Sequence, residues 1–575
     1  MTDPTSTSVR VPALALGDGA NAYAAAVERA RTEEWATRLL DRDVTLWTDD
    51  AEVGRSIADR LGWLDAPVEF ADRIAALEGF GDGIVQAGFT TAVVAGMGGS
   101  SLAPDVLHRT FGSQDGYLDL RILDSTDPAA VGAVFDDLDP LKTLVIIASK
   151  SGTTTEPNAF LAYFWDLAHQ ALDKVGHHVY ETPGAMIAVI TDPGKSLEAI
   201  EHHDEFREVF LNPPDIGGRY SALTYVGLVP ASLIGLDLDS LVASAIAMLG
   251  ACREPDPAAN PGVSLGLAMG TLAQAGRDKL TFLADDEIAS FGAWAEQLIA
   301  ESTGKHGRGI VPVDLEPLGT PSVYGSDRVF VRLSLAGGTD GGRDALADSL
   351  ETAGQPVVRI ELADPIDIGG EFVRWEVATA IAGAVLGIDA FDQPNVEEAK
   401  ELTRQVLAKA GRGEPLDTGA PPIAAQDPAC VDALVAHLAK RAPNPYLALQ
   451  AFIAPTAGRD AAMARLRAAL RDRTRNATTA GYGPRFLHST GQLHKGGPST
   501  GWFLQLTADH PNDRDIPGWP YTFGGLIDAQ AAGDYAAIES HGLPILRIHL
   551  GADPDAGLAA LERALDAALR TIPEG

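Results

Sequence analysis

From position 91 onward, short uninterrupted apolar runs alternate with longer stretches whose apolar residues recur at helical spacing. The runs at 91–95, 120–123, 144–148, 186–190, 279–283, 328–333, 357–362, 502–506 and 544–550 are brief and lack polar alternation, which predicts strands buried on both faces. Helical spacing fills 158–171, 223–234, 291–300 and 372–386. Strands and helices alternating at this pace predict an α/β fold of parallel, doubly wound sheets. In such sheets a ligand sits at the carboxyl ends of the strands. Residues 21–75 are mostly helical by pattern, with Trp35, Leu39, Leu40, Trp47, Leu61 and Trp63 as expected core. A linker rich in Gly, Pro and Ala covers 411–428. At 575 residues the chain is too long for one core. The expected organisation is a helical segment (1–90), two doubly wound units (91–250 and 251–410) and a C-terminal α/β segment (411–575).

Charge narrows the partners. With 44 Lys and Arg against 79 Asp and Glu, the formal charge of −35 repels nucleic acid and anionic membrane at long range. An anionic small molecule has to be captured by local cations and N–H groups inside a cleft. Two cysteines, Cys252 and Cys430, are too few for a disulfide framework and fit a reducing cytoplasm. The start MTDPTSTSVR has no basic stretch leading into an apolar one, and no apolar run reaches membrane-spanning length.

Candidate chemistry begins at TLVIIASKSGTTTE, 143–156, where a buried strand breaks into Ser149, Lys150, Ser151, Gly152, Thr153, Thr154 and Thr155 before a helix. Unpaired N–H groups at such a turn, with hydroxyls beside them, form a cradle for a phosphate dianion. A second strand–helix turn carries Gly96, Gly98, Gly99, Ser100 and Ser101. It is not the dinucleotide fingerprint, because Ser101 stands at the sixth position of G-x-G-x-x-G. Its glycines do let a ligand approach the backbone closely. In GGRYSALT, Arg219 offers a guanidinium fork to a phosphate or a developing oxyanion.

Glu301 closes a helix bearing Trp294 and Leu298, immediately before Ser302, Thr303, Gly304 and Lys305. Its place at the negative end of the helix dipole suits a general base. This is no Walker A loop, since Ile299 replaces the first glycine and His306 the Ser/Thr. Lys400 follows the turn of Phe391, Asp392 and Pro394. Between 483 and 506 the chain is dense in proton-bearing groups: His488, Ser489, Thr490, Gln492, His494 and Lys495. His488 and His494, six apart and without cysteine or a suitably spaced carboxylate, do not read as metal ligands.

The motifs GMGGSSL, SKSGTTTE and GGRYS, with the pair ESTGK and FDQPNVEEAK, occur in this order between 91 and 400, and there the chain resembles the glucose-6-phosphate isomerase family. The resemblance implies two sugar-isomerase (SIS) αβα sandwiches plus the third C-terminal segment, and interconversion of glucose 6-phosphate with fructose 6-phosphate. It assigns the phosphate to Ser149, Ser151, Thr153 and Thr154, with Lys150 and Gly152 shaping the loop. Gly98, Gly99 and Ser100 line the sugar, Arg219 compensates the charged intermediate, Glu301 shuttles the proton between C1 and C2, and Lys400 sits at the ring-opening end. A catalytic histidine of the family falls between the base and the late lysine, where this chain has only His306. GQLH at 491–494 looks like that loop moved beyond Lys400, so the expected order for ring opening is His494, then His488, then His306. His488, Gln492 and Lys495 are expected around the substrate.

The third segment is similar to the isomerase half of transaldolase–isomerase fusions. Only about ninety residues precede the first sheet, against the roughly 200 of such a barrel, so no transaldolase barrel is expected. No cofactor is expected, because a carboxylate and a fixed cation suffice for proton transfer next to a carbonyl. The expectations for partners are a sugar phosphate, a monomer or homodimer, and a separate transaldolase. Two other readings remain open: a dual phosphoglucose/phosphomannose isomerase, and a sugar-phosphate-binding regulator with no need of a base.

Overall fold

The computed structural model describes residues 9–175, 180–410 and 421–572; ten positions of the expected linker, 411–420, fall outside it. The chain opens with a short strand, β1 (Ala13–Ala15), and then runs through helices as far as Gln86. Of the core expected there, Trp35, Leu39, Trp47, Leu61 and Trp63 are buried, and Leu40 is half-buried. Trp47 also ties this region to the second sheet's layer, its indole N–H donating to the Ala380 carbonyl at 2.8 Å.

The first sheet holds β2 (Thr91–Gly96), β3 (Asp119–Leu123), β4 (Thr143–Ala148), β5 (Ile187–Thr191) and β6 (Glu208–Leu211), all parallel, in the order β3-β2-β4-β5-β6. Every residue of β2, β4 and β5 is buried, as their uninterrupted apolar runs require. The chain winds outward from β2 to β3 and then crosses back to β4, so the topological switch point lies between β2 and β4. Gly96 stands opposite Ala148 in the register, and the two chemistry-bearing turns therefore leave the sheet side by side.

The second sheet holds β7 (Lys279–Ala284), β8 (Val311–Val313), β9 (Arg328–Leu335) and β10 (Val357–Leu362), with β1 closing its edge antiparallel to β10. The helix Phe291–Thr303 follows β7, and its C-terminal half shares a cleft with the two turns at the carboxyl edge of the first sheet. A continuous core joins these two sheets, and it also takes in Ile516, Phe523, Leu526 and Ala529 from far down the chain.

A third parallel sheet follows: β11 (Ile423–Ala424), β12 (Tyr446–Phe452), β13 (Ala477–Tyr482), β14 (Gly501–Thr507) and β15 (Ile545–His549), ordered β11-β15-β14-β12-β13. Its own core is built from residues such as Leu447, Leu504, Ile548, Leu561 and Leu565. Buried polar contacts fasten it to the second sheet. Glu316 pairs with Arg328 at 3.0 Å and accepts from the Thr478 amide at 2.8 Å, while Arg467 donates to the Asp314 carbonyl at 2.7 Å. Charges buried this deeply are tolerated because each has an opposite charge or a hydrogen-bond partner within reach.

One half-buried carboxylate at this junction has no opposite charge paired with it among the described residues. Glu296 faces a small cavity with Gln450, Thr479, Thr490 and His494. Burial, reinforced by the charge of Asp314, pushes its carboxyl up to about 8, and burial pushes Asp314 up to about 7. Both folded values exceed the unfolded ones, so the folded state binds more protons; stability should fall as pH rises from the ordinary carboxylate range through about 8. Glu296→Gln is expected to flatten that decline, as urea unfolding at about pH 5 and about pH 9 will show. Among the described residues, no helix is long and apolar enough to cross a membrane.

Candidate functional site

At the switch point the SKSGTTTE turn and the glycine turn form one wall of a cleft of about 400 Å³. Ser149, Lys150, Ser151 and Thr154 line it from one turn, and Gly98, Gly99 and Ser100 from the other. The Ser149 hydroxyl donates to Thr154 Oγ1 at 3.1 Å, and the helix Thr155–Val175 starts directly beyond. Lys150 shapes the turn: its ammonium donates to Asp192 at 2.7 Å and to the Pro214 carbonyl at 2.8 Å. Gly152 has φ +68, and a Cβ there would lie 1.8 Å from the Ser196 carbonyl oxygen, so only glycine closes this turn. Thr153 does not line the cleft. It shares a hydrogen bond of 3.0 Å with Ser151 and faces an adjoining recess with Thr155.

The opposite wall comes from the second sheet's layer. The Phe291–Thr303 helix runs past the expected end of 300 and carries Glu301 in its last turn, only 8% exposed and open to the cleft. Gln297, one turn earlier, donates to Glu301 Oε2 at 3.1 Å and to the His488 carbonyl at 2.7 Å. Arg219 is buried beside them, with Nη1 3.6 Å from Glu301 Oε1. Its other hydrogen bonds go to Ser302, Gln393 and the carbonyls of Ala390 and Asp392. The guanidinium is therefore held rigidly, and it also pins the turn that leads to Lys400, which lines the cleft as well.

Histidine placement differs from the expected order. His494 is buried among the rings of Tyr446, Phe486 and Phe503 and touches Gln450 at 3.3 Å, away from the cleft. Burial, helped by the neighbouring Lys495 charge, keeps it neutral, well below the ordinary histidine value. His306 is exposed, on a left-handed turn with φ +54. His488 is the histidine that lines the cleft. Its Nε2 lies 3.1 Å from Glu156 Oε1, and its carbonyl packs 2.7 Å from where a Cβ on Gly98 would stand. Gly98 therefore serves the chain's own backbone as well as any ligand.

Lys495 and Gln492 also point elsewhere. Lys495 forms a fully buried ion pair with Asp534 at 2.9 Å. Gln492 ties the Gly304 carbonyl to Asn395, joining the base-bearing helix to the turn before Lys400. The physical reason is burial: every residue from Gly491 to Lys495 on the short helix Gly491–Gly496 is packed inside the protein, and these two polar side chains spend their donors on interior partners. Residues that sequence reasoning missed are Gln297, Gln393 and Glu156. Gln297 lies four positions before Glu301 on one helix face, a signal that was available; Glu156 stood inside the phosphate motif without a role. Burial alone would raise the Glu156 carboxyl, but His488 and Lys400 outweigh it and hold it below the ordinary value.

A family model described as phosphoglucose isomerase matches residues 47–314. A glucose-6-phosphate isomerase of Rubrobacter xylanophilus is 30% identical over 410 residues, covering 63% of this chain and 92% of that protein. One from Heliobacterium modesticaldum is 28% identical, covering 61% and 88%. Among solved structures, a hypothetical protein of Thermus thermophilus superposes with a TM-score of 0.57 at 25% identity, covering 69% of this chain and all of that one. On this likeness, over a span that contains both turns of the cleft, the chain belongs to the phosphoglucose isomerase family.

Proposed function

We propose that this chain interconverts glucose 6-phosphate and fructose 6-phosphate by proton transfer between C1 and C2. The observation that carries the reading is that the hydroxyl-lined turn around Ser151 and the carboxyl group of Glu301 open into one cleft, with His488, Lys400 and Arg219 on its walls. The phosphate binds on Ser149, Ser151 and Thr154 at the helix N-terminus, which holds the far end of the sugar within reach of the acid–base groups. His488 spends Nε2 on Glu156, so Nδ1 exchanges the proton with the ring oxygen, with Lys400 beside it. The ionised Glu156 fixes that orientation. Glu301 takes the C2 proton, Arg219 offsets the charge of the cis-enediolate, and the same carboxyl returns the proton to C1.

Both cysteines are free and buried, in keeping with a cytoplasmic setting. A coupled assay for fructose 6-phosphate with the purified chain alone tests the function. Turnover without any added protein is the expected result, and none at all would leave a sugar-phosphate-binding regulator in its place. Mannose 6-phosphate run in parallel measures tolerance at C2.

A further inference from the structure

We propose that Gln530 is a positioning residue for ring opening: it holds the Glu156 carboxylate so that His488 is aimed at the substrate. The inference rests on the isomerase reading above and adds to it a residue from the helix Phe523–Ser540. The Gln530 amide N–H donates to Glu156 Oε1 at 2.7 Å, the oxygen that also faces His488 Nε2 at 3.1 Å. Its own carbonyl oxygen accepts from the Thr126 hydroxyl at 2.6 Å. Thr126, Gln530 and Glu156 are all buried, so no water can replace a lost partner cheaply. A flipped amide would set its oxygen against the carboxylate, so the charge on Glu156 and the hydroxyl of Thr126 together fix which way Gln530 points.

The rest of the His488 segment is held by other means. Arg485, three residues earlier, pairs with Asp105 at 2.9 Å and Asp124 at 3.0 Å on the first sheet's layer. Beyond it, Lys495 pairs with Asp534, one turn along the same helix as Gln530. The backbone on both sides is thus anchored, and the direction of the imidazole is left to Glu156. A carboxylate can rotate about its last bond; a charge-assisted hydrogen bond from a fixed amide stops it. Thr126 follows β3 and Glu156 follows β4, whereas Gln530 lies some 370 residues further on, at a separation of 374 from Glu156. The relay therefore forms only when the C-terminal segment is docked.

Anomer exchange of glucose 6-phosphate isolates this step, because interconverting α and β forms needs ring opening and closure but no transfer of the C2 proton. It is measured by NMR in the Glu301→Gln background, with thermal midpoint and glucose 6-phosphate affinity alongside. Gln530→Met, which keeps length and volume but has no donor, is expected to slow exchange by about tenfold with affinity unchanged. Thr126→Val is expected to slow it about threefold, Thr126→Ser to restore it, and the Met/Val double variant to be no worse than Met alone. Should Gln530→Met fail to fold, the Thr126 pair carries the same test. Exchange within twofold of the parent, or a loss of affinity that accounts for the whole effect, overturns the role of Gln530. A Glu301→Gln parent that exchanges anomers no faster than solution would instead overturn the ring-opening reading itself.

Discussion

Glu301→Gln is expected to lower kcat by about two to four orders of magnitude while KM stays within a few-fold. The change is isosteric, and it removes the one group placed to accept the C2 proton. Binding is expected to survive because the phosphate rests on Ser149, Ser151 and Thr154, on the other wall. Folding is expected to survive as well. Arg219 loses a charge 3.6 Å away, but its hydrogen bonds to Ser302, Gln393, Ala390 and Asp392 remain, so no buried guanidinium is left without partners. The Gln297 amide can still donate to the new side-chain carbonyl. Steady-state kinetics in both directions checks this, and exchange of solvent deuterium into C2 should fall in parallel. Near-native turnover would remove Glu301 from the role of base.

The second large effect separates two histidines. His488→Asn is expected to lower kcat by about two to three orders of magnitude on the ring-closed substrate. His494→Phe is expected to leave kcat within a few-fold. The contrast follows from surroundings: His488 opens to the cleft and bonds Glu156, while His494 sits among Tyr446, Phe486 and Phe503, a setting that accepts another ring. His494 should show itself in stability instead. The unfolded chain protonates this residue near 6.5, whereas burial keeps the folded ring neutral, so stability is lost as pH falls below that value. His494→Phe removes that part of the acid slope. Urea unfolding at about pH 5 and about pH 7 reads the stability change, and kinetics of both variants reads the catalytic one. A His494→Phe chain that folds but does not turn over would reverse the assignment.

Much of the cleft could be read from local pattern. Serines and threonines directly after a buried strand, and glycines after another, mark phosphate and close-approach turns because helix N-termini leave donors unpaired whatever the rest of the chain does. Glu301 was recognisable for a similar reason: a carboxylate in a last helical turn, followed by STGK, is a local arrangement. The choice among histidines was not local. His488 and His494 are six residues apart in a segment of similar composition, and nothing in that segment says which face meets the first sheet. Arg485 decides it by docking on Asp105 and Asp124, and Lys495 by burying its charge against Asp534. Strand β13 was hard to see because ATTAGY lacks a continuous apolar run, and β8 because VPV is only three residues long.

What the amino-acid order determined by itself is most of the parallel strands of the first two sheets, the two turns at the carboxyl ends of β2 and β4, and a base at the end of a helix. Each depends on neighbours within a few positions, where burial periodicity and unpaired backbone donors act directly. Only the tertiary structure decided which residues share the cleft, since Glu156, His488 and Gln530 come from distant parts of the chain and meet through buried charge and hydrogen bonds. Such contacts are specified by the packing of whole layers, and no short stretch of sequence carries that information.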